Sequence, residues 1–262
     1  MFDHKNVRVE LDGAVALVTL DRPPVNALDR TTRYELIAVF DEISQRDDIR
    51  CAVLTGAGKS FCAGADLKDR PKSDSPGDFL AHNRAVRETG NAIRECDKPV
   101  IAAVNGVAMG GGFEIALACD IIVASDKARF ALPEPRVGLA AGAGGMQRLS
   151  RQIPLKKAMG MMLTARHVPA QEGFELGFVT AVVPHEKLME EARRWAGLIL
   201  ECSPMSIRAT KQVVMRSLDV PSAEISMRNF SYPAFVAMAN SEDTVEGPKA
   251  FAEKRKPNWK GR

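Results

Sequence analysis

The chain has 262 residues, is 45% hydrophobic and 26% charged, and carries 36 Lys+Arg against 33 Asp+Glu, a net charge of +3. This composition suits a folded globular chain rather than a disordered one, and the length allows a core that needs no disulfide or metal staple. The charge bias is too small to argue for a nucleic acid or a membrane surface, and it does not oppose an anionic small molecule.

Val7–Leu11 and Ala14–Leu20 alternate around Asp12-Gly13 and read as a hairpin, ended by Arg22-Pro23-Pro24. Ala27–Ile43 has helical periodicity, with Leu28, Leu36, Ile37, Phe40 and Ile43 on one side. Cys51–Leu54 reads as a strand, Asp69–Asp78 as an exposed loop, and Phe79–Glu95 as a helix stopped by Asp97-Lys98-Pro99. Val100–Val104 is a strand, Asn105–Gly112 a glycine-rich turn, Phe113–Ala118 a short helix and Asp120–Ala124 a strand; Ala143-Gly144-Gly145 opens another helix. Val179–Val183 is the last strand, and Lys187–Leu200, Met205–Ser217, Ala223–Ala239 and Thr244–Lys254 are helical. The class is therefore α/β with parallel pairing over residues 1–184, followed by a helical region, 185–262.

The apolar runs Ala14–Leu20 and Val100–Val104 are far short of the roughly 20 residues of a membrane helix. The N-terminus carries Asp3 and leads straight into strand-like sequence, unlike a secretory or transit signal. Five widely spaced cysteines form no CxxC or Cys/His cluster, so the expectation is a reducing, cytoplasmic setting and no metal. Three superficial motifs fail. Thr55-Gly56-Ala57-Gly58-Lys59-Ser60 resembles a phosphate loop, but its first glycine would have to stand at Val53. Gly110-Gly111-Gly112 lacks the dinucleotide pattern, and Cys62, between Phe61 and Ala63, reads as a small buried hydrophobe.

The chemistry lies in two glycine-bearing turns and two acids. Ser60–Leu67 and Asn105–Glu114 both follow strands, and the second feeds a helix N-terminus. Free N–H groups and the helix dipole there favour negative charge, so one N–H from each turn could hold an oxyanion. Glu114 falls in the first turn of an apolar helix. Glu134 stands between Pro133 and Pro135 among apolar residues, and Pro135 biases it away from helical geometry. A rigid carboxyl in such a setting has a raised pKa and suits proton transfer beside a carbonyl.

These segments, in order and spacing, resemble the enoyl-CoA hydratase/isomerase (crotonase) family over essentially the whole chain. The resemblance rests on Leu20–Pro23 with Asn26-Ala27-Leu28, Leu54–Gly58, Phe61–Leu67, Lys98–Gly106, Gly110–Glu114, Phe130–Glu134, Gly142–Leu149 and Ala250–Arg255. It implies a crotonase (ClpP-like) fold of repeated ββα units, with residues 1–184 carrying the CoA and catalytic site and 185–262 a helical trimerisation region. It implies an acyl-CoA substrate, no separate cofactor, and a homotrimer or a hexamer of paired trimers, with neither nucleic acid nor membrane as partner.

The family's oxyanion positions fall on the N–H groups of Ala65 and Gly111, and the catalytic pair of its hydratases on Glu114 and Glu134. Having both acids implies hydration of a 2-enoyl-CoA, with Glu114 activating water and Glu134 handling the C2 proton. CoA contacts carry over to Asn26, Ala27, Leu28, Ala63, Asp66 and Leu67, and, toward a neighbouring subunit, to Phe251 and Lys254. The sequence departs at Ala141, where the family often has Pro, in a turn that borders the acyl pocket. The C-terminal stretch from Ser241 to Arg262 and Phe130–Glu134 also resemble carnitinyl-CoA dehydratases. Further alternatives are a 3,2-enoyl-CoA isomerase and an RNA-binding member using Arg193, Arg194, Arg208, Lys211 and Arg216.

Overall fold

The structure, a computed structural model, describes residues 2–69, 76–228 and 232–262. Among these residues no helix is long and apolar enough to cross a membrane. The expected hairpin forms as β1 (Val7–Asp12) and β2 (Val15–Leu20), antiparallel from Val7↔Leu20 to Asp12↔Val15. Its turn places Gly13 at φ +58°, a backbone that glycine adopts without strain.

Helix α1 (Arg30–Gln45) starts three residues later than periodicity indicates. Asp29 accepts a 2.8 Å hydrogen bond from the Thr32 N–H and so caps the helix at Arg30. Leu28 is thereby freed from the helix and pairs instead with Ala65 in a parallel bridge.

The chain then runs β3 (Cys51–Gly56), β4 (Ser60–Cys62), α2 (Pro76–Glu95), β5 (Val100–Val104), β6 (Val107–Met109), α3 (Gly111–Ala116), β7 (Ile121–Ser125) and β8 (Arg129–Ala131). Three ββα passages follow one another, and the two strands of each pair separate into different sheets. The larger sheet has the order β1-β2-β3-β5-β7 and ends on β10 (Ala181–Val183); all its pairs beyond the hairpin are parallel. The smaller has the order β4-β6-β8 and ends on β9 (Val168–Pro169), which runs antiparallel to β8. Its strands are too short to show a period of two, which is why the sequence gives only turns there. Of the expected loop Asp69–Asp78, residues 70–75 lie outside the described set, and α2 begins at Pro76.

Both faces of the larger sheet are covered at its central strands, so β3 and β5 are buried along their whole length and nearly continuously apolar. Ala52, Leu54, Val100, Ala102 and Val104 face the main core with Leu36, Phe40 and Ile43 of α1. Their neighbours Cys51, Val53, Ile101 and Ala103 face Leu188, Ala192 and Ala196 of a later helix. Phe113, Phe130 and Phe178 stack around one another with centroids 5.2 Å apart, which ties α3 to β8.

The remaining helices are α4 (Gly145–Gln152), α5 (Leu155–Thr164), α6 (Ala170–Leu176), α7 (Leu188–Leu200), α8 (Pro204–Ser217), α9 (Ala223–Arg228), α10 (Pro233–Ala239) and α11 (Glu242–Ala252). The apolar residues from α7 face β3, β5 and β7. The helix expected over Ala223–Ala239 is divided into α9 and α10, with residues 229–231 outside the described set and Pro233 opening the second piece. Lys211 of α8 pairs with Asp120 at 2.7 Å and fastens the helical region beside β5.

Candidate active site

The two glycine turns converge because the strands before them, β4 and β6, are neighbours in the smaller sheet. Gly112 lies so close that a Cβ there would overlap the Cys62 carbonyl, so α3 sits directly on the end of β4. A Cβ added at Gly111 would lie 3.6 Å from the Ala65 nitrogen. Among the described residues, neither the Ala65 nor the Gly111 N–H has a protein acceptor. Gly111 opens α3, where a backbone N–H has no intrahelical partner. Two unspent donors thus stand beside each other at a helix N-terminus.

Glu114, on the first turn of α3, is only 3% exposed. Its Oε1 accepts from the N–H groups of Ala143 (2.8 Å) and Gly145 (2.9 Å). Burial pushes its pKa up to about 7, helped by the nearby Glu134 charge, while the two backbone N–H groups pull the other way. Glu134 opens a 3-10 turn, Glu134–Val137, contrary to the non-helical backbone that Pro135 led us to expect. Pro135 is tolerated because the first residues of a helical turn need no N–H partner. Burial raises the Glu134 pKa as well, and its Oε2 is buried with no hydrogen-bond partner among the described residues. A Cβ at Gly110 would come within 2.9 Å of Glu134 Oε1, so this carboxyl lies against the turn that carries Gly111.

Glu114, Glu134, Ala65 and Gly111 all line one cavity of about 640 Å³. Leu28, Ala63, Asp66 and Leu67 line it too, whereas Asn26, Ala27, Phe251 and Lys254 do not. The Asn26 side chain is spent on structure. At φ +54° it donates to Ala57 O (2.9 Å) and Ser60 O (2.8 Å) and accepts from the Arg22 N–H (3.0 Å). Arg22 in turn donates to Ala27 O (3.1 Å) and pairs with Asp66 at 2.7 Å, which holds the Asp66 pKa below its ordinary value. Phe251 is 86% exposed, and Lys254 follows the C-terminal end of α11 at φ +53°. Cys62 is fully buried with its thiol pushed up to about 12, as befits a packing residue.

Periodicity gave no reason to single out four residues that the fold brings here. Arg33 of α1 lines the cavity with an exposure of only 3%. His82 and Arg87 project from α2. Arg148 of α4 donates to Ala143 O at 2.7 Å, behind the segment that binds Glu114. The Gly142–Leu149 motif marked the last of these, without showing its target.

The chain as a whole has close parallels among known proteins. The family model described as enoyl-CoA hydratase/isomerase matches residues 10–262. The carnitinyl-CoA dehydratase of Citrobacter koseri is 40% identical over 253 residues, 95% of this chain and 96% of that protein. The crystal structure of the enoyl-CoA hydratase of Bacillus anthracis superposes with a TM-score of 0.92 at 34% identity, covering 98% of this chain and 100% of that one. That of the Mycobacterium tuberculosis H37Rv enoyl-CoA hydratase gives 0.86 at 34% identity, with 98% and 99% covered. The ββα passages are those of the crotonase fold, and with a match that runs nearly from end to end, the chain belongs to the enoyl-CoA hydratase/isomerase family.

Proposed function

We propose that this protein is a hydro-lyase that adds water reversibly across the 2,3 double bond of a 2-enoyl-CoA thioester. The observation that carries this reading is the meeting of Glu114, Glu134 and the Ala65 and Gly111 N–H groups in one cavity. In the proposed reaction the thioester oxygen lies between the two N–H groups. Negative charge develops on it as a water oxygen adds at C3, and each preorganised donor is worth about 10²–10³ in rate. Glu114, whose Oε1 is held by two N–H groups, orients and deprotonates the water. Glu134, its pKa raised and its Oε2 unspent, supplies the proton to C2. The roles need one proton shared by the pair, and the mutual repulsion of two buried carboxylates favours that state.

For the coenzyme, Leu28, Ala63, Asp66 and Leu67 offer the wall beside the Ala65 donor. Phe251 and Lys254, remote from their own cavity, would meet CoA bound to a neighbouring subunit of a trimer or hexamer assembled through residues 185–262. A cytoplasmic setting fits this metabolism.

The relatives named carnitinyl-CoA dehydratase favour a second reading, the same chemistry on a trimethylammonium-bearing acyl group. Such cations are held by aromatic faces or acids. Among the described residues, no Phe, Tyr or Trp lines the cavity, and of its acids Asp66 is already paired with Arg22 while Glu114 and Glu134 are assigned to the proton transfers. The plain enoyl reading is therefore preferred. An isomerase has no need for two acids so placed. The basic face that RNA binding would use is largely neutralised, with Arg193, Arg194, Arg208 and Lys211 each in an ion pair.

Loss of the conjugated-thioester absorbance of crotonoyl-CoA tests the proposal, with crotonobetainyl-CoA in parallel. Turnover of crotonoyl-CoA that falls by orders of magnitude in both Glu114→Gln and Glu134→Gln is expected. Turnover of crotonobetainyl-CoA alone would transfer the assignment to the carnitinyl reading.

A further inference from the structure

The catalytic cavity borders a second one of about 360 Å³, and Arg87, Gly142 and Ala143 line both. The second cavity is strongly cationic. Arg87, Arg94, Arg148 and Arg151 line it, against one acid, Asp219, whose side chain is 65% exposed and 3.6 Å from Arg94. Three of these arginines are committed. Arg94 donates to Met215 O (3.0 Å), Arg148 to Ala143 O (2.7 Å) and Asn91 Oδ1 (3.2 Å), and Arg151 to Gln147 O (3.1 Å). Arg87 has no hydrogen bond or ion pair among the described residues. Gly142 leaves the junction open, since a Cβ there would meet nothing nearer than Ala140 O at 3.7 Å.

The position of Arg87 is informative on the hydratase reading, on which this inference rests. The Ala65 and Gly111 donors fix the thioester, and Asp66 and Leu67 continue from Ala65 toward the coenzyme. Glu114 and the Ala143 segment that binds it lie on the acyl side. Arg87 shares Gly142 and Ala143 with both cavities and so stands where the far end of the acyl chain arrives. Of the catalytic cavity's other charges, Glu114 and Glu134 are assigned to the reaction and Asp66 is paired with Arg22, while buried Arg33 reaches its acid, Asp69, only at 3.9 Å. An arginine fork matches a carboxylate, and a charge-assisted pair is stronger than a neutral one.

We propose that the preferred acyl group carries a carboxylate at the end remote from the thioester, a 2-enedioyl-CoA, and that Arg87 binds this carboxylate at the junction of the two cavities.

Initial rates of the purified protein with 2-hexenoyl-CoA and 2-hexenedioyl-CoA test this, because the two differ only in the terminal carboxylate. We expect kcat/KM to favour the carboxylated thioester by about tenfold to a hundredfold. Arg87→Met should abolish the preference chiefly through KM, and Arg87→Lys should restore part of it. The preference should also shrink with added salt, since the Arg87 side chain is exposed. Equal rates in the wild type, or a preference that survives in Arg87→Met, would overturn the inference while leaving the hydratase reading intact. Absence of turnover with any enoyl-CoA would instead sink the hydratase reading. Calorimetric binding of adipoyl-CoA against hexanoyl-CoA would then still decide the carboxylate preference.

Discussion

Arg148 and Glu114 grip the same backbone segment from opposite sides. Arg148 donates to the Ala143 carbonyl at 2.7 Å, and the Ala143 and Gly145 N–H groups donate to Glu114 Oε1 at 2.8 and 2.9 Å. The guanidinium passes close over Gly90 and Gly144, where a Cβ would collide with it. It therefore sets where two N–H groups point at a carboxylate that it does not itself hydrogen-bond, and its charge also helps to keep the Glu114 pKa from rising further. Arg148→Met should move the Glu114 ionisation upward, shifting the acidic limb of the kcat/KM profile to higher pH by about half a unit to one unit. A pH–rate series with crotonoyl-CoA reads this. An unchanged limb with a uniformly lower rate would make Arg148 a purely structural residue.

Glu114 also makes stability depend on pH. Its pKa rises from 4.5 to about 7 on folding. The folded state therefore holds a proton that the unfolded state has released between these values, and stability falls as pH rises through this window. Above pH 7 the ionised, buried carboxyl costs on the order of 3 kcal/mol. Glu114→Gln should be more stable than wild type to urea at pH 8 and lose that advantage near pH 5, even as activity disappears.

Gly111→Ala tests the oxyanion site without touching an acid. The added methyl would lie 3.6 Å from the Ala65 nitrogen and 3.2 Å from Leu28 Cδ1, in the space between the two donors. We expect kcat to fall by about 10²–10³ with little change in Tm, because position 111 begins a helix and alanine suits it. A variant of unchanged kcat would remove Ala65 and Gly111 from the mechanism.

Asn26 is expected to matter for folding more than for CoA. Asn26→Ala deletes the hydrogen bonds that join the segment after β2 to Ala57 O, Ser60 O and Phe61 O, together with the one from the Arg22 N–H within it, and leaves a non-glycine residue at φ +54°. Denaturant unfolding should show a loss of about 3 kcal/mol. A large rise in KM with unaltered stability would point instead to a direct CoA contact.

Much of this protein is legible in its residues. The hairpin around Asp12-Gly13, the strands Cys51–Leu54 and Val100–Val104 and the helical region after Pro184 follow from period and turn chemistry, which act between near neighbours in the chain. The order and spacing of the motifs around Ala65, Gly111, Glu114 and Glu134 resemble the family on the residues alone. The second sheet did not show, because strands of two or three residues carry no period. Nor could the sequence show that Asp29 would release Leu28 from α1 to pair with Ala65, or that Asn26 would turn inward.

What only tertiary structure decided is distance and environment. Residues far apart in the chain, Arg87, Ala143 and Arg148 among them, come to line one charged wall because α2 and α4 both pack against α3. Burial then sets the Glu114 pKa, and burial is a property of the packed whole. The sequence by itself determined which groups are available for chemistry. The fold decided which of them meet, which are desolvated, and which, like Arg87, are left without a partner among the described residues.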